Sequence, residues 1–123
     1  MAKKTLREPK RVLLVDDDQD YGQAAADVIG LNGKRSVTIA RTIKEATKCL
    51  RMGKFDVIVW DYCLTDGTSE ELTRATKERF PKTRMIANTG NPDKVQVMKK
   101  AGCRVIAEHT RGIEALLKQI DRR

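Results

Sequence analysis

The sequence predicts an α/β domain in which helices cover both faces of a parallel sheet. Short apolar runs recur between segments with helical spacing, as is typical of strands that are buried on both faces. An acidic or hydroxyl residue follows three of these runs. The runs are residues 12–15 before Asp16, residues 57–60 before Asp61, and residues 85–88 before Thr89. Strict alternation of strands and helices with right-handed crossovers predicts a doubly wound fold.

The first two strand–helix units are outlined by their end signals. The first helix is predicted from about Gln19, with Asn32-Gly33 as its C-terminal signal. Residues 36–40 alternate polar and apolar side chains, which predicts a less buried strand at an edge of the sheet. The capping box Thr42-x-x-Glu45 then opens a helix that runs to about Met52.

The later units carry comparable signals. A second capping box, Thr68-x-x-Glu71, predicts a helix that runs to about Phe80. Asn91-Pro92 predicts the start of a fourth helix, because Asn caps well and Pro gives up only an N–H that would have no partner there. Residues 105–107 predict the last strand. Four apolar residues with helical spacing predict the closing helix: Ile113, Leu116, Leu117 and Ile120.

Length and composition indicate one domain. A chain of 123 residues can bury a core but has no room for a second domain. We expect a basic tail over residues 1–10 and the domain over residues 11–123. No apolar run approaches the roughly 20 residues that span a bilayer, and the basic N-terminus lacks the apolar stretch of a signal peptide, so we expect a cytoplasmic protein without membrane insertion. Three cysteines without a Cys-x-x-Cys pair predict reduced thiols.

The chain is strongly basic, with a net charge of +8 and a pI near 9.6. Solvated helix faces account for most of these charges. A basic surface also favours weak contact with polyanions. No recognition helix, RNA-binding motif or aromatic stacking platform is visible, so no specific nucleic-acid partner is expected.

Carboxylates are predicted to converge at one edge of the sheet. Parallel strands place their carboxyl ends on the same edge, which brings Asp16, Asp17 and Asp61 together. Crowded carboxylates repel one another unless a hard cation lies among them. Oxygen ligands suit Mg²⁺, or Mn²⁺ in its place. The pattern predicts a metal site for phosphate chemistry.

The order of these signals resembles the receiver domain of bacterial response regulators. An acidic cluster follows the first strand, Asp61 the third and Thr89 the fourth, and Ala101-Gly102 precedes the fifth. The resemblance covers residues 11–123. It implies a flavodoxin-like sheet of strand order 2-1-3-4-5. It also implies a phosphoacceptor in a two-component phosphorelay, served by a sensor histidine kinase or a phosphotransfer protein and acting on a downstream protein.

The resemblance also implies roles for individual residues. Asp61 takes the place of the phosphoacceptor, which attacks the phosphorus of a phosphohistidine. Asp17 is the expected direct Mg²⁺ ligand, Asp16 acts through water, and Asp61 and the backbone carbonyl of Cys63 complete the protein ligands. Thr89 matches the hydroxyl that hydrogen-bonds a phosphoryl oxygen, and Gly90 leaves room for the phosphate to enter.

Several positions depart from the family pattern. The family's Lys at the end of the fifth strand is His109 here, and the Pro that follows it is Thr110. Since the reference pKa of histidine is about 6.5, a mostly neutral His109 removes one fixed positive charge. The aromatic switch residue is replaced by Ile106. A Pro and a Gly that follow the phosphoacceptor are replaced by Thr65 and Ser69.

These departures leave a second interpretation open, in which a degenerate receiver binds proteins without being phosphorylated. Retention of Asp17 and Asp61 argues against complete loss of the chemistry. Residues 66–68 resemble part of the haloacid-dehalogenase phosphatase motif, but Leu64 occupies the position of its nucleophilic Asp. A stand-alone enzyme is therefore not expected. Because residues 121–123 directly follow the predicted fifth helix, we expect a receiver without an attached output domain.

Overall fold

A five-stranded parallel sheet forms the centre of the molecule. A computed structural model describes residues 8–103, 105–107 and 112–122. The strands are β1 Lys10–Val15, β2 Arg35–Ala40, β3 Val57–Trp60, β4 Arg84–Ala87 and β5 Val105–Ile106. They run in the order β2-β1-β3-β4-β5, so the predicted order is confirmed and β2 is an edge strand.

Helices connect successive strands, and a short antiparallel hairpin of Cys63–Leu64 and Gly67–Thr68 follows β3. The helices are α1 Gln19–Ile29, α2 Ile43–Met52, α3 Glu70–Arg79, α4 Val95–Ala101 and α5 Ile113–Asp121. Within the described residues, no helix has both the length and the apolar character needed to cross a membrane.

The two faces of the sheet carry separate hydrophobic clusters, because side chains alternate between faces along each strand. On one face, Leu13, Ile58 and Trp60 are packed with residues of α2 and α4. On the other face, residues of α1 and α5 pack against the strands; this cluster includes Val12, Leu14, Val57, Val59, Ile86, Ala25, Ile29, Leu116 and Ile120. Burial on both faces explains why the central strands are continuous apolar runs in the sequence.

Helix α2 begins as the sequence predicts. The Thr42 side chain accepts a hydrogen bond from the Glu45 N–H (3.0 Å). The Glu45 carboxylate accepts from the Arg41 N–H (2.7 Å). Both bonds satisfy backbone donors near the start of the helix, which have no partner within the helix itself.

The predicted capping box at Thr68 is wrong. Thr68 lies in the hairpin, and Ser69 is the residue that precedes α3, without a side-chain capping bond. The Ser69 hydroxyl instead donates to the Asp61 carbonyl (2.6 Å). Thr68 is paired with Cys63 in the hairpin, so the chain is still extended at the position where the local pattern predicted a cap.

The first helix also ends earlier than its stop signal suggests. Gly30 caps α1 through a bond from its N–H to the Ala26 carbonyl (2.9 Å). A 3₁₀ turn over Leu31–Gly33 then leads to β2, with Asn32 at φ 66. The Asn-Gly pair therefore serves this turn, because both residue types tolerate left-handed backbone conformations. At the fourth helix, the Asn91 side chain accepts from the Asp93 N–H, and a 3₁₀ turn over Pro92–Lys94 precedes α4.

Candidate functional site

Hydrogen bonds between neighbouring strands continue one residue beyond the strand ends. The Asp16 N–H donates to the Ala40 carbonyl (3.0 Å), and the Asp61 N–H donates to the Val15 carbonyl (3.0 Å). These bonds fix the backbone of both acids at the carboxyl edge of the sheet. The two side chains are therefore placed side by side by the register of β1 and β3.

Asp16, Asp17 and Asp61 form a carboxylate cluster at this edge. Each contributes one oxygen, and these oxygens lie within 4.8 Å of one another. Asp16 is buried, Asp61 is half-buried and Asp17 is exposed. The cluster thus extends from the sheet to the surface: Asp16 is enclosed by protein, and Asp17 is accessible to solvent.

Backbone donors orient two of these carboxylates. The Asp18 N–H donates to Asp16 Oδ1 (2.9 Å). The Tyr62 N–H donates to Asp61 Oδ1 (2.8 Å). Asp18 itself caps α1 by accepting from the Tyr21 N–H (3.0 Å), so the third acid of the Asp16–Asp18 run serves the helix.

Burial and, to a lesser extent, neighbouring negative charges raise the pKa of Asp61. Burial is the main reason that this pKa is raised from 3.8 to about 7, and the charges of Asp16 and Asp17 contribute to the same increase. Hydrogen bonds from the Tyr62 N–H and the Thr89 hydroxyl act in the opposite direction. The proton is retained because ionised Asp61 would be poorly hydrated and repelled by its neighbours.

The three acids fit a hard divalent cation. Oxygen ligands on opposite sides of Mg²⁺ lie about 4.2 Å apart, given bonds of about 2.1 Å, and larger ions allow more. The separations within the cluster fall close to this span. A bound cation would also offset the repulsion from Asp16 and Asp17 that adds to the effect of burial on the pKa of Asp61. Receiver domains bind a divalent cation at an acidic cluster of this kind.

Thr89 and Gly90 lie beside the acids, directly after β4. Thr89 is buried, and its hydroxyl accepts from the Asn91 N–H (3.1 Å). Its side chain lies near enough to Asp61 to act against the increase in the pKa of that carboxyl group. Gly90 is exposed, and no heavy atom of the described residues lies within 4 Å of the place where a Cβ would be. On this side of Asp61, Thr89 therefore supplies a hydroxyl group, and Gly90 leaves open space.

Two departures from the family pattern contact the cluster. The Thr65 hydroxyl lies 3.5 Å from Asp17 Oδ2. Ser69 is fully buried and anchors the Asp61 main chain through its hydroxyl, while its own N–H donates to the Tyr62 carbonyl (2.9 Å). Ser69 thus helps to fix the position of the Asp61 main chain. Cys63 lies in the hairpin opposite Thr68, with an exposed side chain.

Sequence reasoning missed Tyr21 as a neighbour of the acids. Its hydroxyl accepts a hydrogen bond from Asn88 Nδ2 (2.9 Å). Burial raises the pKa of Tyr21, and the charges of Asp16 and Asp61 add to this increase. Tyr21 is in the first turn of α1, three residues after the capping Asp18, and this placement is the one local signal that could have identified it.

Asp66 belongs to a helix terminus. Its carboxylate accepts from the N–H groups of Ile43 (2.8 Å) and Lys44 (3.1 Å) at the start of α2. The bond from Ile43 is the main reason that the pKa of Asp66 lies below its usual value. In the segment 66–68 that resembles a phosphatase motif, Asp66 therefore serves to cap the start of α2.

The structure does not describe the side chains at the remaining predicted positions. Ile106 lies in β5, where the backbone alone is described. His109 and Thr110 lie outside the described residues. Their predicted roles stay predictions.

A family model decides the identity of the chain. The model described as the response regulator receiver domain matches residues 12–120. The chain belongs to this family. The match lies within the predicted domain range of residues 11–123, and the resemblance inferred from the sequence is confirmed.

Individual relatives agree with this assignment. The receiver domain is 32% identical over 95 residues to the response regulator protein PilR of Pseudomonas aeruginosa, a match that covers 76% of this chain but 21% of that protein. The chain thus spans about a fifth of the length of this relative.

Solved structures share the fold. A CheY-like receiver domain protein from Methanospirillum hungatei JF-1 superposes with a TM-score of 0.83 at 24% identity, covering 91% of this chain and 90% of the other. A response regulator from Burkholderia pseudomallei, solved with a phosphorylated aspartic acid, a calcium ion and citrate, gives 0.82 at 22% identity over 91% of this chain and 66% of the other.

Proposed function

We propose that this receiver domain accepts a phosphoryl group on Asp61 from a phosphohistidine of a sensor histidine kinase or phosphotransfer protein. The phosphorylated domain then signals by a changed affinity for a downstream protein. The observation that supports this proposal most directly is the convergence of three carboxylates at one sheet edge, with Thr89 following the strand next to the one that leads to Asp61. The domain is a phosphoacceptor in this scheme and not a stand-alone enzyme.

The transfer requires Asp61 in its ionised form. A carboxylate oxygen of Asp61 forms the bond to phosphorus as the N–P bond of the phosphohistidine breaks, and the imidazole leaves. Carboxylates are weak nucleophiles, so alignment must lower the barrier. The Tyr62 N–H bond fixes Asp61 Oδ1, which favours presentation of the other oxygen to the incoming phosphorus.

The cluster would hold Mg²⁺ or Mn²⁺ through Asp17 and Asp61 directly, Asp16 through water, and the Cys63 carbonyl. Such a cation supplies charge neutralisation for the phosphoryl oxygens. The exposed Asp17 is suited to direct contact at the open side of the cluster. Buried Asp16, with Oδ1 already accepting from the Asp18 N–H, is suited to the outer role.

Thr89 and Gly90 would receive the phosphoryl group. The Thr89 hydroxyl would donate to a phosphoryl oxygen, and the open space beside Gly90 would admit the group. Ile106 stands at the family's aromatic switch position. Because Ile106 has no aromatic ring, we propose that a hydroxyl-to-aromatic relay does not operate in its usual form and that the signal leaves through another contact.

Phosphorylation of Asp61 is tested by incubating the protein with acetyl phosphate and Mg²⁺, followed by intact mass spectrometry. Wild type should gain the mass of one phosphoryl group. Asp61→Asn should gain none while keeping its circular dichroism spectrum, and Asp17→Ala should lose metal binding. Asp18→Asn is the matched control, because Asp18 belongs to the same acidic run but caps α1, and Asn also caps well.

The second candidate function is a degenerate receiver that binds proteins without phosphorylation. It is favoured by the replacements at His109, Ile106 and Thr65. A wild-type protein that stays unmodified with saturating donor and metal, and with its cognate kinase, would support this alternative over the proposal.

A further inference from the structure

A large cavity lies at the amino ends of the strands, on the edge opposite to Asp61. Its volume is about 1090 Å³. The walls come from the start of β1, the segment before β3, and the loop that joins α3 to β4. Since all five strands are parallel, these segments share one edge, which is separated from the acidic cluster by the length of the sheet.

The cavity is basic. Five Lys and Arg side chains line it, against the carboxylates of Glu8 and Asp56. The Lys10 ammonium donates to the Ile120 carbonyl (3.2 Å), so this cation is already directed toward α5. Asp56 Oδ2 accepts from the Arg11 N–H (2.8 Å), which partly offsets its negative charge. Four further cations remain for a ligand: Arg11, Lys54, Arg79 and Lys82.

Two of these cations lie over aromatic rings. The guanidinium carbon of Arg11 lies 5.1 Å from the centre of the Phe55 ring. That of Arg79 lies at the same distance from the Phe80 ring. Each guanidinium is therefore within cation–π distance of a ring, which favours a position beside that ring. A guanidinium group presents a planar fork of N–H donors that suits bidentate contact with phosphate oxygens.

The position of Arg11 depends on Gly53. A Cβ at residue 53 would lie 2.9 Å from one terminal nitrogen of Arg11 and 3.4 Å from the other. The guanidinium therefore occupies space that any other residue at position 53 would fill. The three nearest heavy atoms to such a Cβ all belong to the Arg11 side chain, so Gly53→Ala would displace the end of a flexible side chain and alter the cavity.

Hydrogen bonds join two of the segments that form the cavity walls. The Thr83 hydroxyl donates to the Phe55 carbonyl (3.1 Å), and the Thr83 N–H donates to the Phe80 carbonyl (3.0 Å). Thr83 thus joins the two segments that carry the stacked rings. A concavity whose donors are held before a ligand arrives loses less entropy on binding.

We propose that this cavity binds a small oligophosphate ligand of nucleotide size. The volume slightly exceeds the range of about 300–1,000 Å³ that is usual for small-molecule sites, so the cavity has room for a ligand of this size. Four cations spread over three wall segments favour several linked anionic groups over one. Phosphate oxygens match the two guanidinium forks better than a single carboxylate would. The proposal does not depend on phosphorylation of Asp61, because the two sites lie at opposite edges of the sheet.

The test is isothermal titration calorimetry of tripolyphosphate and of ATP in EDTA, which removes metal from the acidic cluster. The double variant Arg79→Gln/Lys82→Gln should bind tripolyphosphate about tenfold more weakly than wild type. Gly53→Ala should also bind more weakly, although the net charge is unchanged. The matched control Lys48→Gln/Lys100→Gln removes two cations outside the cavity, and it should change affinity less than about twofold.

Three outcomes would overturn the proposal. Equal losses in the cavity and control variants would show attraction by net charge alone. Absence of tripolyphosphate binding to wild type would exclude the ligand class. Tight binding of single-stranded DNA that tripolyphosphate does not displace would assign the surface to nucleic acid. Two outcomes would support the proposal and refine it: ATP that binds more tightly than tripolyphosphate would identify a nucleotide as the ligand, and equal affinity would identify the phosphate chain alone.

Discussion

Asp61 retains its proton to an unusually high pH for a carboxylic acid, since burial raises its pKa to about 7. The unfolded chain releases the same proton near 3.8. Between these values the folded state binds more protons than the unfolded state. The free energy of unfolding of the metal-free protein therefore decreases as pH rises through this window.

We predict that Asp61→Asn reduces this loss of stability between about pH 4 and pH 7. The measurement is chemical denaturation in EDTA across that range. Asp66→Asn is an informative contrast, because the pKa of Asp66 is lowered by backbone donors and its contribution is instead lost as pH falls. An unchanged slope in Asp61→Asn would show that this carboxyl group is not the one that titrates.

The replacement of the family's Lys by His109 leads to a prediction from the sequence. Below about pH 6.5 a histidine gains the charge that Lys carries permanently. His109→Lys should therefore increase phosphorylation by acetyl phosphate more at about pH 7.5 than at about pH 6. His109→Ala should remove any component that titrates with the histidine. Equal extents for all three proteins at both pH values would exclude His109 from the site.

At the scale of single elements, contacts between distant segments decide how several elements begin. Helix α2 has the predicted Thr42 cap, and it also receives the Asp66 carboxylate from the hairpin. Before α3, Ser69 makes no side-chain capping bond, and its hydroxyl instead donates to the Asp61 carbonyl. The residues at the start of α2 and directly before α3 are thus bonded to the chain segment that begins at Asp61.

The end of α4 supplies a stability prediction. Gly102 has φ 129, and a Cβ there would lie 2.9 Å from Lys77 Cβ. We predict that Gly102→Ala lowers the free energy of unfolding by about 1–3 kcal/mol. Gly33→Ala is the matched control, because Gly33 also has a positive φ but no described atom lies within 4 Å of the position that an added Cβ would take. A smaller effect at Gly102 than at Gly33 would contradict the steric argument.

Across the whole molecule, the two edges of the sheet differ in charge. The carboxyl edge carries the acidic cluster, and the amino edge carries the basic cavity. The net charge of +8 includes the acids of the carboxyl edge, so the rest of the molecule is more basic than the total indicates. Anionic molecules should therefore be attracted mainly to surfaces away from Asp61.

We predict weak association of the domain with DNA, without sequence preference and with strong sensitivity to salt. Fluorescence anisotropy with one labelled duplex and a scrambled duplex of equal length is the appropriate measurement. Tight binding in about 0.2 M salt, with clear discrimination between the two duplexes, would contradict this prediction.

The sequence by itself determined the alternation of strands and helices, the position of β2 at an edge, and the convergence of Asp16, Asp17 and Asp61. These features follow from local patterns. A strand buried on both faces must be apolar throughout, and parallel strands must end on a common edge. A polar residue directly after such a strand is therefore placed at that edge by position alone, as Asp61 is after β3.

The tertiary structure alone decided which side chains meet across elements. Tyr21 approaches the acids from α1, Asp66 reaches α2 from the hairpin, and Arg11 lies over Phe55 in space left by Gly53. None of these pairs has a characteristic spacing along the chain. Their contacts depend on how helices pack on the sheet and on the direction of each side chain, and local sequence patterns do not encode either.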